Sequence, residues 1–122
     1  MKVFFIISAI YGFLAVALGA FGAHGLEGKI SEKALDAWEK AVKYQMFHTG
    51  ALLVVSILLL KEQTGSLVAA GWLFVIGTLL FSGSLYVYAP TGIKSLAMIT
   101  PIGGVVFLIG WICFGLAVSK LF

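Results

Sequence analysis

The sequence predicts an all-α polytopic membrane protein, with four transmembrane helices and an interfacial amphipathic helix between the first and second of them. Of the 122 residues, 61% are hydrophobic and only 11% are charged. A soluble domain is about half apolar and about a quarter charged. Several uncharged runs approach or exceed the ~18 residues that mark a spanning helix. The length favours a single domain, 1–122, without an aqueous catalytic lobe.

The first helix is predicted over residues 3–23, an apolar run longer than the ~7–15 residues of a cleaved signal core. Small residues recur on one face of it, which marks a helix contact, because helices in lipid associate by close packing. The helix should break at the glycines of segment 22–26. The small residues of that face are Ser8, Gly12, Ala15, Gly19 and Gly22.

Residues 31–43 carry most of the charge and predict the amphipathic helix, with Ser31 as its N-cap. Apolar residues follow a helical period along one side, as expected for a helix in the headgroup region. The second transmembrane helix is predicted over 44–60. Because neither Pro nor Gly separates 31–43 from Met46, the two segments are able to join.

The third helix is predicted over 67–88 and the fourth over 95–119. Ala89-Pro-Thr-Gly92 has the composition of a tight turn between them. Pro101 lies inside the fourth run and predicts a kink. The distribution of lysines favours a cytoplasmic loop 24–43 and external termini.

Candidate site residues fall into two groups. The first is a polar cluster of His24, Gln45, His48 and Thr49, expected near one membrane surface. It would suit a metal or haem ligand pair or a proton-handling site, since histidine titrates near neutrality. The alternative is that these side chains bond to carbonyls or headgroups where helices end.

The second group lies where the third and fourth helices meet, and it consists of Ser82, Ser84, Tyr86 and Thr100. Its hydroxyls would line a path for an ion or small solute, or they would bond to backbone in a close-packed helix pair. No cofactor is expected for either group, because a metal site would need further ligands.

Several functional classes are disfavoured by what the sequence lacks. No charged residue lies in the middle of a predicted span, whereas proton-coupled transporters usually need one. No catalytic set, such as Ser–His–Asp or a phosphate-binding glycine loop, is recognisable, so an enzyme is not expected. The lysines form no basic patch for nucleic acid. The single cysteine, Cys113, allows no internal disulfide.

Four blocks occur in order along the chain: 19–26 (GAFGAHGL), 44–48 (YQMFH), 81–86 (FSGSLY) and 100–104 (TPIGG). Together they resemble the small four-helix membrane family called domain of unknown function 423, which is similar to vertebrate transmembrane protein 256. The resemblance implies a four-helix inner-membrane protein, here in the bacterial cytoplasmic membrane, and it implies no established activity.

Two functions follow as hypotheses. The first is a non-enzymatic scaffold or partner subunit that supports membrane organisation, with the lipid bilayer and itself or other membrane proteins as partners. The alternative is a binder or conductor of a small ligand, metal or proton at the cluster of His24, Gln45 and His48.

Overall fold

A computed structural model describes residues 2–122, and four long α-helices account for most of them. Each helix, with its adjoining turn, is long and apolar enough to cross a membrane. No strand occurs within this range, so the predicted all-α class with four spans is confirmed. The elements are α1 (Lys2–Phe21), a π-helical turn (Gly22–Leu26), α2 (Glu32–Lys61), α3 (Gly65–Thr91), a 3-10 helix (Lys94–Met98) and α4 (Ile99–Leu121).

The predicted segments 31–43 and 44–60 form one continuous helix, α2. Ser31 caps it, because its Oγ accepts a hydrogen bond from the Ala34 N–H at 3.1 Å. At 1.5 Å per residue, α2 is about 45 Å long, which exceeds the ~30 Å hydrocarbon core of a bilayer. The charged first part therefore extends beyond the core when α2 spans it. That this part lies in the headgroup region stays a prediction.

The end of α1 differs from the predicted break. The chain widens into the π-helical turn and continues to Leu26, and the reversal comes at Gly28, whose φ is +80°. The glycine of this turn that matters most for packing is Gly22. A Cβ at Gly22 would lie 2.5 Å from the Trp38 ring, so the absent side chain lets the start of α2 pack directly on the turn.

Both prolines occupy positions other than those predicted. Instead of a turn over Ala89–Gly92, α3 continues through Pro90 to Thr91 and ends at Gly92, whose φ is +70° and whose N–H donates to the Tyr88 carbonyl. Pro101 does not kink a helix. It lies in the first turn of α4, where backbone N–H groups have no intrahelical partner to lose.

Sequential helices are antiparallel, with α2 and α3 as the more buried central pair. The small face of α1 packs on α2: Gly12 lies opposite Thr49 and Gly19 opposite Val42. The predicted helix-contact role of this face agrees with that packing. α4 packs on α3. The main core cluster includes Phe4, Leu52, Val55, Leu67, Phe74 and Phe107.

Candidate functional site

Gln45 is the centre of a hydrogen-bonded network that joins three helices. Its side chain is 3% exposed. The amide Nε2 donates to the Tyr11 carbonyl of α1 at 2.8 Å, and Oε1 accepts from the Tyr86 hydroxyl of α3 at 2.6 Å. The Tyr11 hydroxyl in turn donates to the Val75 carbonyl of α3 at 3.0 Å. One amide therefore fixes α2 against both neighbours.

His48 lies one helical turn further along α2 and is held between α2 and α4. The Trp111 indole N–H donates to His48 Nε2 at 3.0 Å, and His48 Nδ1 lies 2.8 Å from the Tyr44 carbonyl. Because an indole only donates and a carbonyl only accepts, the ring is the neutral tautomer with hydrogen on Nδ1. The ring also stacks on Phe107, with centroids 3.6 Å apart. No lone pair is left for a metal ion.

The predicted cluster of four is not assembled as expected. Thr49 is buried, but its hydroxyl donates to the Gln45 carbonyl of its own helix at 2.7 Å. His24 is exposed on the π-helical turn and lies apart from this group. The prediction took residue 44 as the start of a helix, whereas α2 begins at Glu32. The turn that carries His24 packs on Trp38, about 10 Å along α2 before Gln45.

The second predicted group divides between two contacts. Ser84 and Thr100 do lie where α3 and α4 meet, with their hydroxyl oxygens 2.6 Å apart. Ser82 instead faces α2 and donates to the Ala41 carbonyl at 2.6 Å. Tyr86 also turns to α2, where it bonds to Gln45. The two predicted groups are thus linked by a bond between residues 41 positions apart.

Three aromatic residues with polar atoms were missed by the sequence analysis. Tyr11 and Trp111 are in the network described above, and Trp38 donates through its indole N–H to the Leu18 carbonyl at 2.9 Å. The position of two of these residues in the sequence could have identified them. Tyr11 and Trp111 lie near the middle of apolar runs, where a buried O–H or N–H needs a partner.

The buried polar atoms are completely paired within residues 2–122, since every buried side-chain nitrogen or oxygen there has a hydrogen-bond partner. The same range contains no group of three or more His, Cys, Asp and Glu side chains suited to a metal ion. What this arrangement does is hold neighbouring helices together by hydrogen bonds.

Known proteins provide the family context. The family model described as a protein of unknown function, DUF423, matches residues 18–104. A UPF0382 membrane protein of Bacillus subtilis is 53% identical over 121 residues, covering 98% of both chains. UPF0382 membrane proteins of Staphylococcus aureus and Staphylococcus epidermidis are 51% and 50% identical over 122 residues, again covering 98% of each chain. No solved structure matches the chain.

These relatives are bacterial membrane proteins, and the four apolar helices agree with their description. The chain is therefore an integral protein of the bacterial plasma membrane. It belongs to the family of membrane proteins of unknown function described as DUF423.

Proposed function

We propose that the protein is a non-enzymatic scaffold or partner subunit that supports membrane organisation through its outer surface. The observation that carries this proposal is the complete internal pairing of the buried polar atoms. Gln45 and His48, the two polar side chains that most suggested a site, both form hydrogen bonds to neighbouring helices. The buried polar side chains therefore stabilise the fold, and the outer surface of the bundle is left for contacts with other molecules.

The distribution of charge also supports this proposal. Segments 3–23, 44–60, 62–93 and 95–119 contain no Lys or Arg, and the only acidic residue among them is Glu62, at the end of α2. Ion and proton carriers usually place ionisable side chains within the membrane. Apart from Glu62, His48 is the only Asp, Glu, Lys, Arg or His in these segments, and its two ring nitrogens are hydrogen-bonded to Tyr44 and Trp111. A relay would need a chain of such side chains.

The alternative function, a small-ligand or proton site at the polar cluster, has no comparable support. A ligand at His48 would have to displace the Trp111 indole or break the bond to the Tyr44 carbonyl. His24, the expected partner of His48, is on the exposed turn.

The outward face of α4 is where we place the association. Gly115 and Ser119 are exposed and four residues apart, with Ile112 beside them at 62% exposure. A Cβ at Gly115 would meet no atom within 4 Å, so another helix is able to approach the backbone closely there. Small residues at this spacing favour helix association in lipid.

In-membrane photo-crosslinking tests the proposal. A photoreactive residue at Ile112 should give adducts with a protein, either a second copy or another membrane protein, and Gly115→Leu should reduce their yield severalfold. Phe13 on α1, which is 73% exposed, is the matched control position. Adducts with lipid alone from both positions would contradict an association role.

A further inference from the structure

A groove between α2 and α4 opens toward the bilayer. Its volume is about 440 Å³, and its walls are aromatic and aliphatic apart from one cation at one end and His48, whose nitrogens are engaged. The cation is Lys43, and Gly104 of α4 lies at the opposite wall. The lining residues that matter here are Lys43, Phe47, Gly104, Phe107, Leu108 and Trp111.

Lys43 lies at a defined depth. It precedes residues 44–60, which carry no charge and extend for about 26 Å at 1.5 Å per residue. That length is close to the ~30 Å hydrocarbon core of a bilayer. Lys43 therefore lies at the headgroup boundary when α2 spans the membrane, and its long side chain places the amine at the level of lipid phosphates.

A second depression adjoins the groove further along α2, on the side toward the membrane centre. It has a volume of about 480 Å³, shares Phe47 and Trp111 with the first and extends along Gly50 to Val54. The distance along α2 from Lys43 to Val54 is about 17 Å. This is about half of the ~30 Å hydrocarbon core, the depth that an acyl chain of one leaflet fills.

We propose that these two adjoining depressions together bind one anionic phospholipid, with its phosphate at the Lys43 amine and one acyl chain lying over Phe47 and Trp111 toward Val54. Charge complementarity selects the occupant, because Lys43 is the only charged side chain that lines the groove within residues 2–122. Glu39, one helical turn before Lys43, does not line the groove; it lines a depression between α1 and α2 that Lys43 and Phe47 also border. This site goes beyond the scaffold role and does not depend on it.

Quenching of tryptophan fluorescence by brominated lipids tests the site, since Trp111 lines the groove. The full chain is reconstituted in phosphatidylcholine vesicles that contain either brominated phosphatidylglycerol or brominated phosphatidylcholine. The expected result is stronger quenching by the anionic lipid, and Trp111→Phe should remove the difference. Equal quenching by the two lipids would overturn the proposal, since it would indicate non-selective contact.

Lysine variants distinguish binding of the anionic lipid at Lys43 from its general attraction to lysines on the protein surface. Lys43→Gln should lower the preference for the anionic lipid by about fivefold, which corresponds to about 1 kcal/mol for one lysine at an anionic surface. Lys40→Gln is the matched control, because Lys40 is exposed on the same helix and does not line the groove. An equal loss in both variants would contradict the proposal.

Glycine variants on α4 separate the lipid site from the association face. Gly104→Leu should fill the groove and abolish the preference, since a Cβ there meets only Phe81, at 4.0 Å. Gly115→Leu should leave the preference unchanged while reducing the crosslinks from Ile112. Loss of lipid preference with Gly115→Leu but not with Gly104→Leu would overturn the assignment of the groove and leave the scaffold proposal standing.

Discussion

α1 and α4 lie against the same central pair of helices, and both form hydrogen bonds to it, but the closest backbone approach is on the α4 side. On the α1 side, polar side chains of α2 reach carbonyls of α1: Gln45 bonds to Tyr11 and Trp38 to Leu18. On the α4 side the backbones themselves come close. A Cβ at Gly103 would lie 2.4 Å from the Phe81 backbone nitrogen.

This difference predicts which mutations should destabilise the contacts of α1 and which should destabilise those of α4. Helix association in lipid depends on close packing and on interhelical hydrogen bonds, which contribute only about 0.6 kcal/mol each on average and at most about 1.7 kcal/mol. Added volume should therefore be most damaging between α3 and α4, whereas loss of polar atoms should be most damaging between α1, α2 and α3.

The largest effect is expected from Gly103→Ala. The new methyl would overlap the backbone of Phe81, so α3 and α4 would have to separate, and overpacking of this kind costs about 3 kcal/mol. The free energy of unfolding in bicelles, measured by steric trapping, checks this. The control is Gly104→Ala, which has room for the methyl and should be neutral. Equal losses in the two variants would show that the close backbone contact is absent.

Gln45→Leu should have the next largest effect. It keeps the side-chain volume but removes the bonds to Tyr11 and Tyr86, so the free energy of unfolding should fall by about 1–2 kcal/mol. Met46→Leu is a suitable control, since Met46 is the next residue and is 54% exposed. A Gln45→Leu variant as stable as the parent protein would refute the structural role of this amide.

Trp111→Phe should cost about 0.6 kcal/mol more than Trp72→Phe, because both changes shorten an indole to a phenyl ring but only Trp111 loses a hydrogen bond, to His48. The same unfolding measurement applies, and Trp72→Phe gives the matched change on α3. A cost above that of Gln45→Leu would reverse the comparison between the two sides of the bundle.

A difference as small as that for Trp111→Phe is expected between two serines that are both fully buried. Ser82 bonds across to the Ala41 carbonyl of α2, whereas Ser56 bonds to the Leu52 carbonyl of its own helix. Ser82→Ala should therefore destabilise the bundle by about 0.6 kcal/mol more than Ser56→Ala. Identical unfolding free energies for the two variants would indicate that Ser82 makes no interhelical bond in the membrane.

The sequence predicts the helices better than their connections. Long apolar runs between lysines are sufficient to count four spans, and Ser31 caps α2 as expected. The prolines misled the prediction because Pro90 is tolerated in the last turn of α3 and Pro101 in the first turn of α4. A local proline rule does not say how far the neighbouring helix extends.

The candidate site was predicted only in part, and the reason is its long-range pairing. Gln45 and His48 were recognisable as polar residues in an apolar run, but Tyr86 and Trp111, which bond to them, lie 41 and 63 positions away. Periodicity gives the face of each helix and does not say which faces meet. His24 was included because it closes the first predicted helix near the membrane surface at which the second begins, and it belongs to an exposed turn.

The central claim, that a buried hydrogen bond between Gln45 and Tyr86 joins α2 to α3, is tested most directly by a double-mutant cycle. Gln45→Leu, Tyr86→Phe and the double variant are compared by their free energies of unfolding in bicelles. The 2.6 Å bond between the two side chains predicts a coupling energy of about 0.6–1.7 kcal/mol. Strictly additive effects, with no coupling, would contradict it.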